Sequence, residues 1–176
     1  MTGSLPRFTL VVGGARSGKS AFAERLVTAT GRPRRYIATA EAWDDEMRTR
    51  IARHRDDRGP AWTTVEAPLD LAAALAGADA AEALLVDCAT LWLTNHLLAD
   101  HDLAAEAETL VQALTRCRAP VVMVSNETGW GIVPENALAR RFRDEQGRLN
   151  QRLAAMADLV VTVIAGLPLV LKGQLP

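Results

Sequence analysis

An α/β fold, a mainly parallel sheet flanked by helices, is predicted by three features of the sequence. Five short apolar runs, most of them rich in β-branched residues, recur along 176 residues. Each is separated from the next by a stretch long enough to hold a helix, and such alternation implies right-handed crossovers between parallel strands. A glycine-rich loop joins the first run to the first helix-forming stretch. The length suits a single domain over residues 1–176, because domains most often run to roughly 100–200 residues. A composition 49% hydrophobic and 23% charged can bury a core without staples, which excludes disorder over most of the chain.

The elements follow in order. Phe8 to Val12 is almost wholly apolar and predicts a strand buried on both faces. Ser20 to Val27 predicts a helix with Phe22 and Leu26 on one face. Tyr36 to Thr39 predicts the second strand, and Asp44 to Asp57 a highly charged surface helix with Met47 and Ile51 along one side. Leu69 to Ala81 is Ala-rich and amphipathic, Leu84 to Asp87 is a third strand, and a helix starts near Thr90. Asp102 to Cys117 predicts a helix and Pro120 to Ser125 a strand. Asn136 to Ala157 is the longest helix, with Leu138, Phe142, Leu149, Leu153 and Met156 facing the core and Arg141, Arg148 and Arg152 on another stripe. Leu159 to Ile164 is the last of the five strands.

Charge and cysteine content exclude several function classes. Twenty Lys plus Arg against 21 Asp plus Glu leave a formal charge of −1, so nothing draws the whole chain to nucleic acid or an anionic membrane. Met1 to Arg7 has no charged start followed by a long apolar stretch, and the apolar run Leu159 to Leu171 is interrupted by Gly166 and Pro168. That run falls short of the ~20 residues of a membrane-spanning helix, and a soluble, cytoplasmic protein is expected. Cys88 and Cys117 have no second Cys or His at a ligand spacing and read as free buried thiols. His96 and His101 show no partner pattern and read as structural.

The chemistry is concentrated in Gly13-Gly14-Ala15-Arg16-Ser17-Gly18-Lys19-Ser20, which satisfies G-x-x-x-x-G-K-[ST] between a strand and a helix. Glycines let backbone N–H groups converge on phosphate oxygens, and the helix N-terminus adds partial positive charge there. Lys19 is expected to reach the β- and γ-phosphates and the Ser20 hydroxyl to ligate Mg²⁺. Asp87, at a strand end, suits the acidic partner that holds the metal through water, and it is also placed to cap the following helix. His54 stands among Arg50, Arg53, Arg55 and Arg58. Crowding by positive charge favours the neutral, nucleophilic imidazole, and the same arginines suit phosphate binding. From spacing alone, a surface histidine on a charged helix is the favoured reading of His54.

Five segments together resemble a known family: Val12 to Ser20, Tyr36 to Thr39, Asp44-Asp-Glu-Met47 with Arg50-Ile-Ala-Arg-His54-Arg55, Val124-Ser-Asn-Glu-Thr-Gly-Trp-Gly-Ile-Val-Pro-Glu-Asn136, and Gly147-Arg-Leu-Asn-Gln-Arg-Leu-Ala154. In this order, over nearly the whole chain, they are similar to the bifunctional adenosylcobinamide kinase / adenosylcobinamide-phosphate guanylyltransferase of cobalamin biosynthesis. The resemblance implies a RecA-like P-loop NTPase fold and a homotrimer. It implies phosphorylation of adenosylcobinamide from ATP or GTP, then transfer of GMP from GTP through a guanylylated histidine, which matches His54. The nucleotide contacts it implies fall on Gly13, Gly14, Ala15, Arg16, Ser17, Gly18, Lys19 and Ser20, on Ala38, Thr39 and Ala40, on Arg55, Asp56, Asp57 and Arg58, and on Glu66 and Asp87. The partners are therefore nucleotide, Mg²⁺ and a corrinoid, with neither nucleic acid nor a membrane span. The arginine stripe of the long helix, or the apolar segment Trp130 to Val133, is expected at a subunit boundary or the corrinoid cleft.

Overall fold

The computed structural model describes residues 4–41 and 60–176, and the charged helix expected over residues 44–57 lies outside them. The chain runs β1 (Phe8–Gly13), α1 (Lys19–Thr28), β2 (Arg34–Ala38), β3 (Trp62–Glu66), α2 (Leu71–Ala76), β4 (Ala83–Asp87) and α3 (Ala89–Leu98). It continues with α4 (Leu103–Arg116), β5 (Val121–Asn126), α5 (Ala137–Met156), β6 (Leu159–Ile164) and β7 (Leu167–Lys172). The strands form one seven-stranded sheet in the order β3-β2-β4-β5-β1-β6-β7. All neighbouring pairs are parallel except β6–β7. None of the described helices is long and apolar enough to cross a membrane.

Alternation along the strands splits the core into two layers, as a pleated sheet covered on both faces requires. Leu10, Ile37, Leu84, Val86, Met123 and Val160 face a layer closed by α2, α3, α4 and α5, including Trp92, Leu110, Leu149 and Leu153. Val11, Leu85, Val122, Val124, Val161 and Val163 face the other, where α1 supplies Phe22, Ala23 and Val27. Both cysteines are free and buried, as expected.

Two strands escape the sequence patterns. β3 reads Trp-Thr-Thr-Val-Glu and sits at a sheet edge, where half-exposed polar residues are tolerated. β7 occupies the opposite edge and contains Pro168, a residue that edge strands accept because one row of N–H groups needs no partner. It returns from β6 through Ala165 and Gly166, both at positive φ, as in the tight turns of two-residue hairpins. The expected helix over Leu69 to Ala81 shrinks to Leu71–Ala76. Asp70 caps its start by accepting from the N–H of Ala73, and the chain leaves the helix at Gly77. The Asp79 carboxylate then holds a turn through the N–H of Ala81. Thr39 lies one residue beyond β2 rather than within it.

On α5 the apolar stripe is only partly core. Leu149 and Leu153 are buried and Phe142 and Met156 pack against them, but Leu138 is half exposed. The first turns of α5 are mostly exposed. Arg141, Arg148 and Arg152 sit beside Asp100, Glu145 and Glu108 respectively. Replacing the fully buried Leu153 by Ala leaves a cavity between α5 and the sheet. We expect a loss of roughly 2–5 kcal/mol, read as a lower denaturant midpoint at unchanged slope.

Candidate functional site

Parallel register aligns the carboxyl ends of the central strands, the edge where ligands bind in open α/β sheets. Gly13 pairs with Asn126 across β1 and β5, while Asp87 pairs with Val124 on one side and Ala38 on the other. Ala38 in turn pairs with Glu66. Glu66, Ala38, Asp87 and the β1 loop thus stand along one rim, although their sequence positions span 13 to 87.

The loop from Gly13 to Ser20 wraps the N-terminus of α1. Gly18 has φ +93°, a conformation side chains resist, and its carbonyl accepts from the N–H of Phe22. Arg16 is also in the left-handed region, and the Ser17 N–H closes a turn onto the Gly14 carbonyl. The Lys19 ammonium, nearly buried, donates to the Gly14 carbonyl at 3.0 Å. Gly14, Ala15 and Arg16 are exposed, whereas Ser17, Gly18 and Ser20 are half buried. The β6–β7 turn braces the loop from beneath: the N–H of Gly166 donates to the Ser17 carbonyl at 2.8 Å.

Across the rim, Asp87 is half buried at the end of β4. It does not cap α3; the N-cap is Cys88, whose sulfur accepts from the Leu91 N–H at 3.5 Å. The Asp87 carboxylate is thus not engaged as the helix cap. Burial pushes the Cys88 thiol up to about 11; the Asp87 charge adds to that shift and the Lys19 charge opposes it. Both charges are therefore felt at one sulfur, which places the loop lysine and the strand-end carboxylate in a common neighbourhood. Ser20, at the start of α1 beside Lys19, and Asp87 supply the hydroxyl and carboxylate oxygens that a Mg²⁺ ion prefers.

Thr39 is fully buried, and its hydroxyl both accepts from the N–H and donates to the carbonyl of Cys88, each at 2.7 Å. Its own carbonyl accepts from the Asn95 amide at 2.8 Å. Thr39 thereby ties the end of β2 to the start of α3, leaving Ala38 and Ala40 half buried on either side. Glu66 is exposed at the end of β3. His54, Arg55, Asp56, Asp57 and Arg58 lie outside the described residues.

Residue patterns alone missed the support behind the rim. Ser125, Gln146 and Asn150 form a buried polar cluster: Ser125 donates to the Asn150 amide oxygen at 2.6 Å, and the Gln146 amide donates to both. Asn150 then donates to the Asn126 carbonyl, and the Thr90 hydroxyl accepts from the Asn126 N–H. The Glu127 N–H reaches the Gly13 carbonyl at 3.0 Å. The visible signal was polar Ser125-Asn126-Glu127 ending an otherwise apolar strand.

A β-carbon on Gly13 would lie 2.6 Å from both the Ser17 hydroxyl and the Val163 carbonyl, whereas one on Gly14 would meet nothing within 4 Å. Gly13→Ala is therefore expected to destabilise by about 1–3 kcal/mol, and Gly14→Ala to stay within about 0.5 kcal/mol of the parent. Thermal unfolding of the two variants side by side measures the contrast.

The chain is 51% identical to the "Bifunctional adenosylcobalamin biosynthesis protein CobP" of Pseudomonas aeruginosa over 94% of this chain and 97% of that one. It is 46% identical to the protein of that description called CobU in Salmonella typhimurium, over 93% and 98%. Among solved structures, the RadB recombinase superposes with a TM-score of 0.53 at 19% identity, over 91% of this chain and 76% of that one. FlaH, a flagellar accessory protein from Methanocaldococcus jannaschii, gives 0.55 at 10% identity, over 98% and 81%. At those identities the likeness concerns the fold alone, a RecA-like P-loop NTPase. The family described as "Cobinamide kinase / cobinamide phosphate guanyltransferase" matches residues 9–171, and the chain belongs to it.

Proposed function

We propose that this chain phosphorylates the hydroxyl of adenosylcobinamide from ATP or GTP. It then transfers GMP from GTP to that phosphate, giving adenosylcobinamide-GDP and pyrophosphate in the cytoplasm. The observation that carries the reading is the pairing of family membership with a built phosphate loop whose lysine shares its surroundings with Asp87. The exposed loop from Gly14 to Arg16 offers backbone N–H groups to the phosphates, and Lys19 supplies a fixed positive charge to the β- and γ-phosphoryl oxygens. Ser20 and Asp87 would hold Mg²⁺, which when bound neutralises developing phosphate charge. Ala38, Thr39, Ala40 and Glu66 complete the rim toward the nucleoside, and Arg55, Asp56, Asp57 and Arg58 contact it from the segment that carries His54.

His54 is the guanylyl acceptor in this reading. Its neutral imidazole attacks the α-phosphorus of GTP, the α–β phosphoanhydride bond breaks, and pyrophosphate leaves with that electron pair. The ring proton passes to solvent and leaves a phosphoramidate. An oxygen of adenosylcobinamide phosphate then attacks the same phosphorus and releases the imidazole. GTP labelled at the α-phosphate is expected to leave acid-labile label on His54. His54→Ala abolishes the label and guanylyl transfer while kinase activity persists, because γ-phosphoryl transfer relies on Lys19, Ser20 and Asp87. Absence of label on the parent enzyme refutes the covalent route.

The assembly is proposed to be a homotrimer. β7 exposes Leu167, Leu169 and Leu171 along a sheet edge, and Trp130, Ile132 and Val133 stand out beyond β5. In this reading that apolar surface meets a second copy of the chain. Sedimentation equilibrium should return three times the 19.0 kDa chain mass, with Leu169→Asp lowering the association. A fully active monomer at micromolar concentration would exclude the trimer.

A further inference from the structure

His96 and His101, unremarkable by spacing, are brought face to face by the end of α3. The helix closes with Asp100 at φ +56°, its N–H on the Leu97 carbonyl, while the N–H of His101 returns to the His96 carbonyl. That pair of bonds is the left-handed helix stop that folds the next residue back over the last turn. It sets the His101 Nδ1 2.9 Å from the His96 Nδ1. Glu106, in the first turn of α4, brings a carboxylate oxygen 3.9 Å from the same His96 atom. The three groups converge within 4.8 Å of one another at a cavity of about 240 Å³ also lined by Trp92 and Asp70.

The ring behind this cluster is already oriented. His96 is buried, and its Nε2 lies 3.2 Å from the Leu69 carbonyl, an oxygen that only accepts. The proton therefore sits on Nε2 and the Nδ1 lone pair faces the cavity. Trp92 donates to the same carbonyl at 2.9 Å and packs its ring 4.6 Å from the imidazole. A histidine whose second nitrogen is held by a backbone carbonyl, with its free nitrogen beside another imidazole and a carboxylate, has the environment of a metal ligand.

We propose that His96, His101 and Glu106 form a binding site for a divalent transition-metal ion of the zinc type. The ion is held by two imidazole Nδ1 atoms and one carboxylate oxygen, with a fourth position open to water. Two nitrogens and one oxygen suit Zn²⁺ and its neighbours, whereas Mg²⁺ and Ca²⁺ prefer oxygen alone. Tetrahedral bonds of about 2.0–2.1 Å put ligand atoms about 3.3 Å apart. The two imidazole nitrogens, 2.9 Å apart, need to separate by a few tenths of an ångström, and the carboxylate, 3.9 Å from the His96 Nδ1 and within 4.8 Å of the His101 Nδ1, needs to swing in toward both. His101 is exposed and Glu106 half buried, so both have room to adjust. Binding replaces the proton between the two Nδ1 atoms; in a neutral His101 that proton moves to Nε2. The ion would join the α3–α4 junction to the chain around Leu69.

The test is a Zn²⁺ titration of the purified chain against a chromophoric chelator, with Mg²⁺ in excess to occupy oxygen-rich sites. One strong Zn²⁺ site per chain is expected, with His101→Ala and Glu106→Gln each binding at least about tenfold more weakly. Both substitutions alter side chains with access to solvent, and circular dichroism and thermal unfolding check that they fold. The chain contains three histidines, so imidazole ¹⁵N resonances give a second readout. Zn²⁺ should shift the Nδ1 signals of His96 and His101. Equal affinity in all three proteins, or a shift confined to His54, overturns the site and leaves an ordinary histidine–histidine hydrogen bond.

Discussion

The chemistry of this molecule depends on how closely the end of β1 is packed. Gly13 lies where the loop leaves the sheet, with the Ser17 side chain on one side and the Val163 carbonyl on the other, and no β-carbon fits between them. That approach lets β1 pass straight into a loop that encircles the start of α1. Parallel register then sets Asp87 and Asn126 beside it. Moving any central strand by one residue would turn its apolar side chains to the opposite layer and carry Asp87 off the rim. Packing of the two core layers and placement of the charges are thus one constraint.

The five central strands and the loop were legible because both core layers demand apolar, β-branched residues and because the loop pattern has few other uses. The edges were not. Trp62–Glu66 is half exposed and Leu167–Lys172 wholly so, and burial, the force that writes a pattern into sequence, acts weakly there. Local turn chemistry explains the shortened α2, since Asp70 and Gly77 bound it more tightly than its alanine content suggests. Asp87 was legible as a strand-end carboxylate, but the capping role falls to Cys88, a weak sulfur acceptor that composition does not advertise. His96 and His101 illustrate a different limit. Their juxtaposition comes from the backbone reversal at Asp100, which side-chain spacing does not encode.

Behind the rim, a polar cluster occupies a place where apolar packing would be simpler. Ser125, Gln146 and Asn150 are buried and bonded to one another, and only the Gln146 carbonyl oxygen among their side-chain atoms has no partner. Buried amides are costly unless their bonds are made, so such a cluster tolerates few geometries. It fixes the angle at which α5 meets β5 and, through Asn126 and Thr90, the position of α3. The Glu127 N–H on the Gly13 carbonyl extends the same rigidity to the first strand.

The bond from Lys19 to the Gly14 carbonyl has a thermodynamic meaning for any polyphosphate that arrives. The ammonium is already stripped of most bulk water and held within the loop, so an incoming oxygen exchanges with a backbone acceptor instead of recruiting a hydrated, freely rotating side chain. Ordering and dehydration of this cation belong to folding and are absent from the association step. A phosphate oxygen that reaches this ammonium therefore takes the place of a backbone acceptor, and the affinity of the loop turns on how well the guest matches the contacts it displaces.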